Sequence, residues 1–556
     1  MKHGFALGAL SVSLLFTSAV LSTQAQHTHE PQRANKLGRV NFSTSCTPRA
    51  QVKFNLATAW LHSFEYEEAE KTFNQVAMID PKCGMAHWGA AMSNYHPLWA
   101  PPTPTELSRG STAMNKAVEI GAKTKREQDY IAAIEVFYKD ADKIDHRTRA
   151  FAYHDAMKQV FQNYPTDNEA AVFYALTLVA TGAMSNDKTY TREKEAAQIL
   201  NRVLAREPQH PGVTHYLIHS YDYPALASLA LPAARRYAKI APDSAHAQHM
   251  PSHIFTRLGL WQEAIRSNLD ARNSAKAFAR RHNMVGTWDE QLHAMDYLVY
   301  AYLQAAQDKQ ARAVLDELNR IRQVDPPSFK VAYSASAIPA RYALERRQWK
   351  EAANLPLRPR GMEKFPWEKF RWAEAHIRFA RAIGAARTGD VASARKEIEE
   401  LGQIHDTLSL VKGDYDWAKQ VEIRRQVATA WLEFAEGKKD EAVRTMRAVA
   451  DLDDATEKHP VTPGTLMPAR EQLGELLLEV KEPAAALAEF EKSLQTTPNR
   501  FNGVYGAARA AKLAGKDSLA RAYYSQLVGL ARYSDSARPE LQEARAAIST
   551  IYDAMR

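Results

Sequence analysis

The sequence predicts an all-α protein built from repeated helical hairpins. From Gln51 onward, apolar residues recur at the i, i+3 and i+4 spacing of helices, and the alternating pattern typical of strands is absent. Proline or glycine repeatedly follows a helical stretch, where it would end a hairpin or mark its turn. At 556 residues the chain exceeds the usual size of one hydrophobic core, so it needs several domains or a repeat architecture.

The skeleton of the first helical hairpin recurs near the end of the chain. In the first hairpin, the positions that fit a core between two helices are Leu56, Ala57, Trp60, Tyr66, Ala69, Phe73 and Ala77, followed by Pro81. The equivalent positions of two late segments are Leu473, Gly474, Ala486, Phe490 and Pro498, then Ala508, Gly515, Ala520, Tyr524 and Leu527. These segments resemble the tetratricopeptide repeat (TPR) family, in which small residues let two helices cross closely and glycine marks the turn.

This resemblance covers nearly all of the chain from Gln51 to about Gly529 and implies a tetratricopeptide-type α-solenoid. It corresponds to roughly ten helical hairpins wound into a right-handed superhelix. Stacked hairpins bury a continuous core between neighbours, and in this family the first helix of each hairpin lines a concave groove. The resemblance predicts a fold and does not by itself predict a reaction.

The chain begins with the features of an export signal. A basic start is followed by an apolar run from Phe5 to Leu21, and small residues precede a cleavage point at Gln26. We therefore expect an exported bacterial protein, periplasmic or secreted, without a transmembrane span, because no later run of about 18 apolar residues follows. The predicted organisation is a signal peptide at 1–25, a linker at 26–50, TPR-like repeats at 51–207, histidine-rich repeats at 208–330 and further TPR-like repeats at 331–556.

Charge and motifs exclude several functional classes. Lys and Arg number 72 against 64 Asp and Glu, and a net charge of +8 spread over this length predicts no nucleic-acid partner. No GxGxxG or GxxxxGK[ST] phosphate loop and no GxSxG nucleophile motif occurs. The two cysteines, Cys46 and Cys83, are expected to form a disulfide after export. The alternative, metal ligation by this pair, lacks a further Cys or His at close ligand spacing beside both.

Histidines are concentrated in two neighbouring repeat units. Six of the 19 histidines lie between residues 210 and 253. Pro208 and Pro242 are 34 residues apart, which is the length of one tetratricopeptide unit. Two histidines follow each proline, seven and eleven residues later: His215 and His219 in the first unit, His249 and His253 in the second. The resemblance implies that these positions lie on first helices and line the groove.

The repeated spacing predicts a transition-metal site. Histidines at i and i+4 share one helix face. Packed helices lie about 8–10 Å apart, and a metal–nitrogen bond adds about 2.0–2.1 Å to the reach of each ring, so rings from adjacent helices can meet one ion. We expect the ligands to be His215, His219, His249 and His253, with His246 as a further candidate. Imidazole ligands suit zinc, copper, nickel or iron, so the cofactor is predicted as zinc, copper or iron.

Three acidic or imidazole side chains are auxiliary candidates for this site. Asp222 follows His219 by three residues, and could be a ligand or could fix the tautomer of a histidine. His293 and Asp296 lie one turn apart in the next unit. An open coordination position would activate a bound water. No HExxH motif occurs and no catalytic residue can be identified, so whether the protein is an enzyme stays open.

Two other interpretations of the histidines remain. They could hydrogen-bond a peptide or an anionic substrate in the groove, or they could be structural residues packed against tyrosines. The corresponding alternative function is a protein- or peptide-binding scaffold of the bacterial cell envelope. The strings HYLIHSYDYP and HMPSHIFTRLGLW resemble those of exported bacterial TPR proteins with a histidine-rich central repeat pair. That resemblance supplies no activity.

Overall fold

Helices make up nearly all of the regular structure. The computed structural model describes Met1 and residues 36–98, 101–185, 187–411, 413 and 415–554. Apart from Met1, the predicted signal peptide at 1–25 lies outside the described residues. The helices of the first third of the chain are α1 (Pro48–His62), α2 (Tyr66–Ile79), α3 (Gly84–Met92), α4 (Pro104–Ile120), α5 (Lys125–Tyr138), α6 (His146–Asn163), α7 (Asn168–Ser185) and α8 (Thr191–Arg206).

The remaining helices continue in the same manner. Those of the middle third are α9 (Pro211–Tyr221), α10 (Leu231–Ile240), α11 (Ala245–His249), α12 (Pro251–Arg257), α13 (Trp261–Arg281), α14 (Asp289–Gln304), α15 (Asp308–Leu318), α16 (Phe329–Leu344) and α17 (Trp349–Ala353). Those of the last third are α18 (Arg371–Thr388), α19 (Val391–Ser409), α20 (Trp417–Ala435), α21 (Lys439–Asp454), α22 (Ala469–Glu479), α23 (Pro483–Thr496), α24 (Phe501–Leu513), α25 (Asp517–Leu530) and α26 (Pro539–Ala554). Two-residue strands β1 (Thr287–Trp288) and β2 (Val324–Asp325) pair in parallel, and 3₁₀ turns occur at Ala227–Ala230 and Trp367–Phe370.

Consecutive helices form antiparallel hairpins whose first helices also pack on one another. Helix α7 packs on α8 and on α9, α14 packs on α15 and α16, and α18 packs on α19 and α20. With α11 and α12 counted as one interrupted helix, the described residues form twelve hairpins and a final helix, α26. The prediction of an all-α, tetratricopeptide-like solenoid is confirmed. The twelve described hairpins are close to the roughly ten that were predicted.

Small residues allow neighbouring helices to cross closely, both within a hairpin and between successive hairpins. A Cβ atom added at Gly89 of α3 would lie 2.3 Å from the ring of Phe73 on α2. Gly474 and Gly506 flank the ring of Phe490 in the same way, and an added Cβ would approach it to 2.9 and 2.2 Å. Any side chain at these positions would overlap an aromatic ring, so the packing of the hairpins requires glycine there.

The first helices form the interior of the solenoid. On α14, every residue from Leu292 to Gln304 is buried. Helix α1 packs against α9, and α14 against α24, although these helices are far apart in sequence. Around α14, the inner face is therefore occupied, over the described residues, by the protein's own side chains. This filling places the histidines of α9, α11, α12 and α14 in a buried environment rather than along an open groove.

Residues 36–47 of the predicted linker pack against this interior, and its last three residues already belong to α1. Phe42 is fully buried, and its ring centroid lies 5.4 Å from those of Phe54 and Trp88. The backbone N–H of Arg39 donates to the carbonyl of Gln209. Cys46 and Cys83 form a disulfide that ties this lead-in segment to the start of α3.

Helix packing continues across the predicted domain boundaries. Helix α8 packs on α9 across residues 207–208, and α14 packs on α16 across residues 330–331. The division into three groups of repeats therefore stays a prediction from sequence. None of the helices described is both long and apolar enough to cross a membrane.

Candidate metal centre

Helix geometry aligns the histidines along the inner face. The ring of His210 caps α9 by accepting a hydrogen bond from the backbone N–H of Val213 at 3.3 Å. Pro251 lacks a backbone N–H, so one helical run is divided into α11 and α12. Met250 between them keeps helical angles (φ −52°, ψ −37°), and the chain continues in nearly the same direction. His246, His249 and His253 therefore stay at helical spacing.

His215, His219 and His246 form a first group, called here triad 1. The Nε2 atom of His215 lies 3.0 Å from that of His219 and 3.2 Å from that of His246. All three side chains are buried, and His215 is completely inaccessible (0% exposed). The Nδ1 of His215 lies 2.7 Å from the carbonyl oxygen of His62. A carbonyl only accepts, so Nδ1 carries the proton and Nε2 carries a lone pair.

His249, His253 and His293 form a second group, called triad 2. The Nε2 atoms of His249 and His253 are 3.1 Å apart, and the rings of His249 and His293 have centroids 4.2 Å apart. One ligand atom from each of the three residues lies within 4.8 Å of the other two. The arrangement repeats triad 1, because an i, i+4 pair on one helix meets a single ring from the neighbouring helix.

In triad 2 the tautomers of two rings are fixed by their outer partners. Asn268 donates from Nδ2 to the carbonyl of Ala264, so its Oδ1 is free to accept from Nδ1 of His249 at 2.7 Å. The Nδ1 of His253 donates to the Asp222 carboxylate at 3.0 Å. Both Nε2 atoms therefore carry lone pairs, and these lone pairs face each other at 3.1 Å. Such a contact is repulsive unless a cation or a proton lies between the nitrogens.

The nitrogen spacing suits a three-histidine metal site. For metal–nitrogen bonds of about 2.0–2.1 Å, nitrogens 3.0–3.2 Å apart subtend an angle of roughly 100° at the ion. The ligand atoms of each triad lie within 4.8 Å of one another, so three rings could approach an ion from one side and leave the other side for an added ligand. Among the described residues, neither triad includes a carboxylate or a thiolate.

Burial keeps these imidazoles neutral. It is the main cause that lowers the pKa of all six rings, and it lowers that of His215 to about 3. The triads also influence each other. After burial and the repulsion from His215, the charges of His253 and His249 further lower the pKa of His219. Neutral imidazole is the form that binds a metal, so all six rings are ready to act as ligands near pH 7.

The structure divides the four histidines that were predicted to share one ion. His215 and His219 belong to triad 1, whereas His249 and His253 belong to triad 2. An i, i+4 pair and one ring from the next helix are enough to form a group that could hold an ion, so each pair belongs to a separate candidate centre. The candidate His246 completes triad 1, and the auxiliary candidate His293 completes triad 2.

The two acidic candidates lie outside both triads. Asp222 accepts from Nδ1 of His253 and from Nε of Arg257, at 3.0 and 2.9 Å, so it orients a ring and fixes its tautomer. Asp296 faces Nε of Arg341 at 3.5 Å. Burial raises the pKa of Asp296 to about 6, although Arg341 opposes that shift. Within the described part of the chain, neither carboxylate belongs to a three-histidine group.

A third buried group, called the acid-bridged cluster, was not predicted. Glu169 accepts from Nε2 of His62 at 2.9 Å and from Nε2 of His210 at 3.0 Å. The other ring nitrogens accept hydrogen bonds, His62 from the hydroxyl of Tyr216 at 2.9 Å and His210 from the N–H of Val213. Burial alone would raise the pKa of Glu169, but the two imidazoles outweigh it and hold the pKa well below its usual range.

Sequence reasoning also missed two residues beside triad 2. Tyr297 lies one turn after His293, and its hydroxyl is 3.3 Å from Nε2 of His253 and donates to the carbonyl of Val461 at 3.2 Å. Its i+4 spacing from His293 was a usable signal. Asn268 lies on α13 with no repeat spacing to the histidines, so no sequence pattern indicated its role.

Comparison with known proteins supports no functional assignment. No protein-family model and no curated protein sequence matches this chain. The human IFIT1 dimer with m7Gppp-AAAA is similar at 12% identity, covering 85% of this chain and 95% of its own, with a TM-score of 0.35. A monomeric IFIT1 mutant with Gppp-AAAA has 13% identity, the same coverage and a TM-score of 0.36. Naa15/Naa10 bound to HypK-THB has 12% identity, coverage of 91% and 74%, and a TM-score of 0.23.

Proposed function

We propose that this helical-repeat protein binds transition-metal ions in its two histidine triads. The observation that carries the proposal is the contact between Nε2 of His249 and Nε2 of His253. Both atoms carry lone pairs, because the other nitrogen of each ring donates to Asn268 or Asp222. A buried cation removes this repulsion and uses both lone pairs. Triad 1 repeats the geometry, so the expected capacity is one ion per triad.

Ligand chemistry narrows the choice of metal. Six neutral imidazoles suit zinc, copper, nickel or iron, and divalent copper binds nitrogen ligands most tightly of the common first-row ions. Calcium, magnesium and manganese prefer oxygen ligands, and the triads offer none among the described residues. Zinc and copper are therefore the first metals to test, followed by iron.

Two features suggest where and how the site would work. The disulfide between Cys46 and Cys83 is suited to an oxidising compartment, which supports the proposed export of the protein. Three protein ligands with an open side are typical of catalytic rather than structural zinc sites. A metal-dependent reaction is therefore part of the proposal, with the substrate unassigned. A peptide held in the groove has less support, because the inner face around α14 is occupied by the protein's own side chains.

Metal analysis tests the proposal directly. Protein purified without a histidine tag should contain stoichiometric zinc, copper or iron by elemental mass spectrometry. His215→Ala/His219→Ala and His249→Ala/His253→Ala should each lose the ion of one triad. His376→Ala is the matched control, since His376 is also a buried histidine but donates to or accepts from Ser336 at 2.8 Å, outside both triads. Metal-free wild type that gains none on incubation, or double variants with full metal content, would contradict the proposal.

A further inference from the structure

The two triads share helices. Helix α9 supplies two ligands to triad 1 and ends at Asp222, which orients His253 of triad 2. Helix α11 supplies His246 to triad 1 and His249 to triad 2. These two residues are three positions apart, so their Cβ atoms are about 5–6 Å apart on one helix face. Each triad thus depends on a helix that also contributes to the other.

Electrostatic contacts also cross from one triad to the other. His219 interacts with His249 and His253, and His215 interacts with His253. Ions held by two triads whose rings interact in this way would also repel each other in a buried environment. The cost of burying charge grows with its square, and is already of order 20 kcal/mol for a single univalent ion in a medium of low dielectric constant.

We propose that the two triads form one binuclear metal centre whose ions share a small oxygen-donor anion, hydroxide in the resting state. This inference rests on the proposed function, since it requires that both triads bind metal. The six described ligands are neutral, so they provide no charge to offset two cations. A bridging anion lowers the net charge, fills the open position of both ions and separates them by the distance of about 3.5–4 Å found in two-metal sites.

The shared anion also defines a reactive group. A hydroxide bound to two metal ions forms at neutral pH, because the ions lower the pKa of water far below its value in bulk solvent. Asp222 and Asn268 hold the rings of triad 2 by their Nδ1 atoms, which leaves the Nε2 side of each ring for the ions. The centre would therefore hold a metal-bound oxygen nucleophile between the imidazole rings of the two triads. Another small oxygen donor could exchange into the same position.

Divalent copper is the probe for this proposal, because coupled and isolated copper ions differ in electron paramagnetic resonance (EPR). Untagged, metal-depleted protein is titrated with Cu(II), and bound copper is measured by elemental analysis beside the integrated EPR signal. At saturation we expect two bound Cu(II) per chain with loss of the EPR signal, since a shared hydroxide pairs the two spins. His293→Ala and His246→Ala should each retain one copper whose signal is fully visible.

The wild type alone keeps the test decisive if either variant misfolds. Two bound Cu(II) with the full signal of two independent spins, sharp or broadened, would overturn the shared bridge while leaving metal binding intact. Saturation at a single copper would overturn the binuclear centre in the same way. Absence of any bound metal would instead overturn the proposed function itself. Loss of the signal at two bound ions supports both proposals.

Discussion

The acid-bridged cluster and triad 2 are both buried groups built around two histidines, but they differ in their third member. In the acid-bridged cluster the third member is Glu169, which accepts one hydrogen bond from each ring. In triad 2 it is another imidazole, His293. The first group has a donor for every acceptor, whereas the second brings two lone pairs together. The first is a hydrogen-bond network, and the second leaves two facing lone pairs that a cation or a proton between them would satisfy.

This difference shows that the number of close histidines does not identify a metal site. Both groups have three potential ligand atoms within 4.8 Å of one another and are buried. The hydrogen-bond partner of the Nδ1 atom of each ring decides whether the Nε2 atom is available as a metal ligand. Where Nδ1 of a ring accepts a hydrogen bond, as in His210, Nε2 must donate; where Nδ1 donates, as in His253, Nε2 is left as a ligand.

The largest expected effect is on the acid-bridged cluster. Glu169→Ala leaves His62 and His210 without their shared acceptor in a buried site, so the free energy of unfolding should fall by about 3–5 kcal/mol. Urea unfolding followed by circular dichroism measures this loss. Metal content of the folded protein should stay at the wild-type level, because Glu169 contacts neither triad ring.

An exposed glutamate provides the control for this substitution. Glu479→Ala removes a carboxylate whose partner, Arg387, lies near the surface, and should change stability by less than about 1 kcal/mol. Loss of bound metal in Glu169→Ala would show that the acid-bridged cluster is itself a metal site. The distinction drawn here between that cluster and triad 2 would then be wrong.

The second expected effect is on the triads. Free zinc at about 100 times its dissociation constant should stabilise the folded protein by about 2.7 kcal/mol for each occupied triad. His249→Ala/His253→Ala should lose the contribution of triad 2 and keep that of triad 1. Thermal unfolding with zinc and with a chelator measures both. Equal stabilisation of wild type and the double variant would show that zinc binds elsewhere.

Sequence reasoning identified the fold and the helices that carry the site. The 34-residue spacing between the two histidine pairs is a property of the repeat, so it correctly placed both pairs on first helices. It could not show that each pair belongs to a separate triad. That partition depends on which ring the neighbouring helix presents, and His246 and His293 are single residues without a repeated spacing.

Side-chain direction and long sequence separation account for the other differences. Asp296 is three residues after His293 and was expected on the same face, but the structure turns it toward Arg341 on α16. His62 and Glu169 are 107 residues apart, so no local pattern connects them. Phe42 is an isolated aromatic residue in a polar segment, and only the tertiary structure shows that it belongs to the core.

The third prediction concerns how triad 2 is oriented. Asn268→Ala removes the acceptor for Nδ1 of His249, so the ring loses its fixed tautomer and position. Loss of such a partner typically weakens metal binding about 10–100-fold. Titration against a competing chelator should resolve this loss at one of the two ions. Asp296→Asn is the control, because Asp296 is buried near the site but faces Arg341, and it should leave both affinities unchanged.

The smallest effect tests whether a proton, rather than a metal, separates the rings. In metal-free protein, burial lowers the pKa of His215 to about 3, below the value of about 6.5 in an unfolded chain. The unfolded state therefore takes up a proton that the folded state does not, and stability falls as the pH drops from 6.5 toward 3. Between pH 6.5 and 5.5 this residue should lower the free energy of unfolding by about 1 kcal/mol, and His215→Gln should remove this pH dependence. Urea unfolding with a chelator at several pH values compares the two proteins. An equally steep pH dependence in the variant would mean that His215 takes up a second proton in the folded state as readily as in the unfolded state. A proton shared with His219 or His246 would then explain the close nitrogens of triad 1 without a metal.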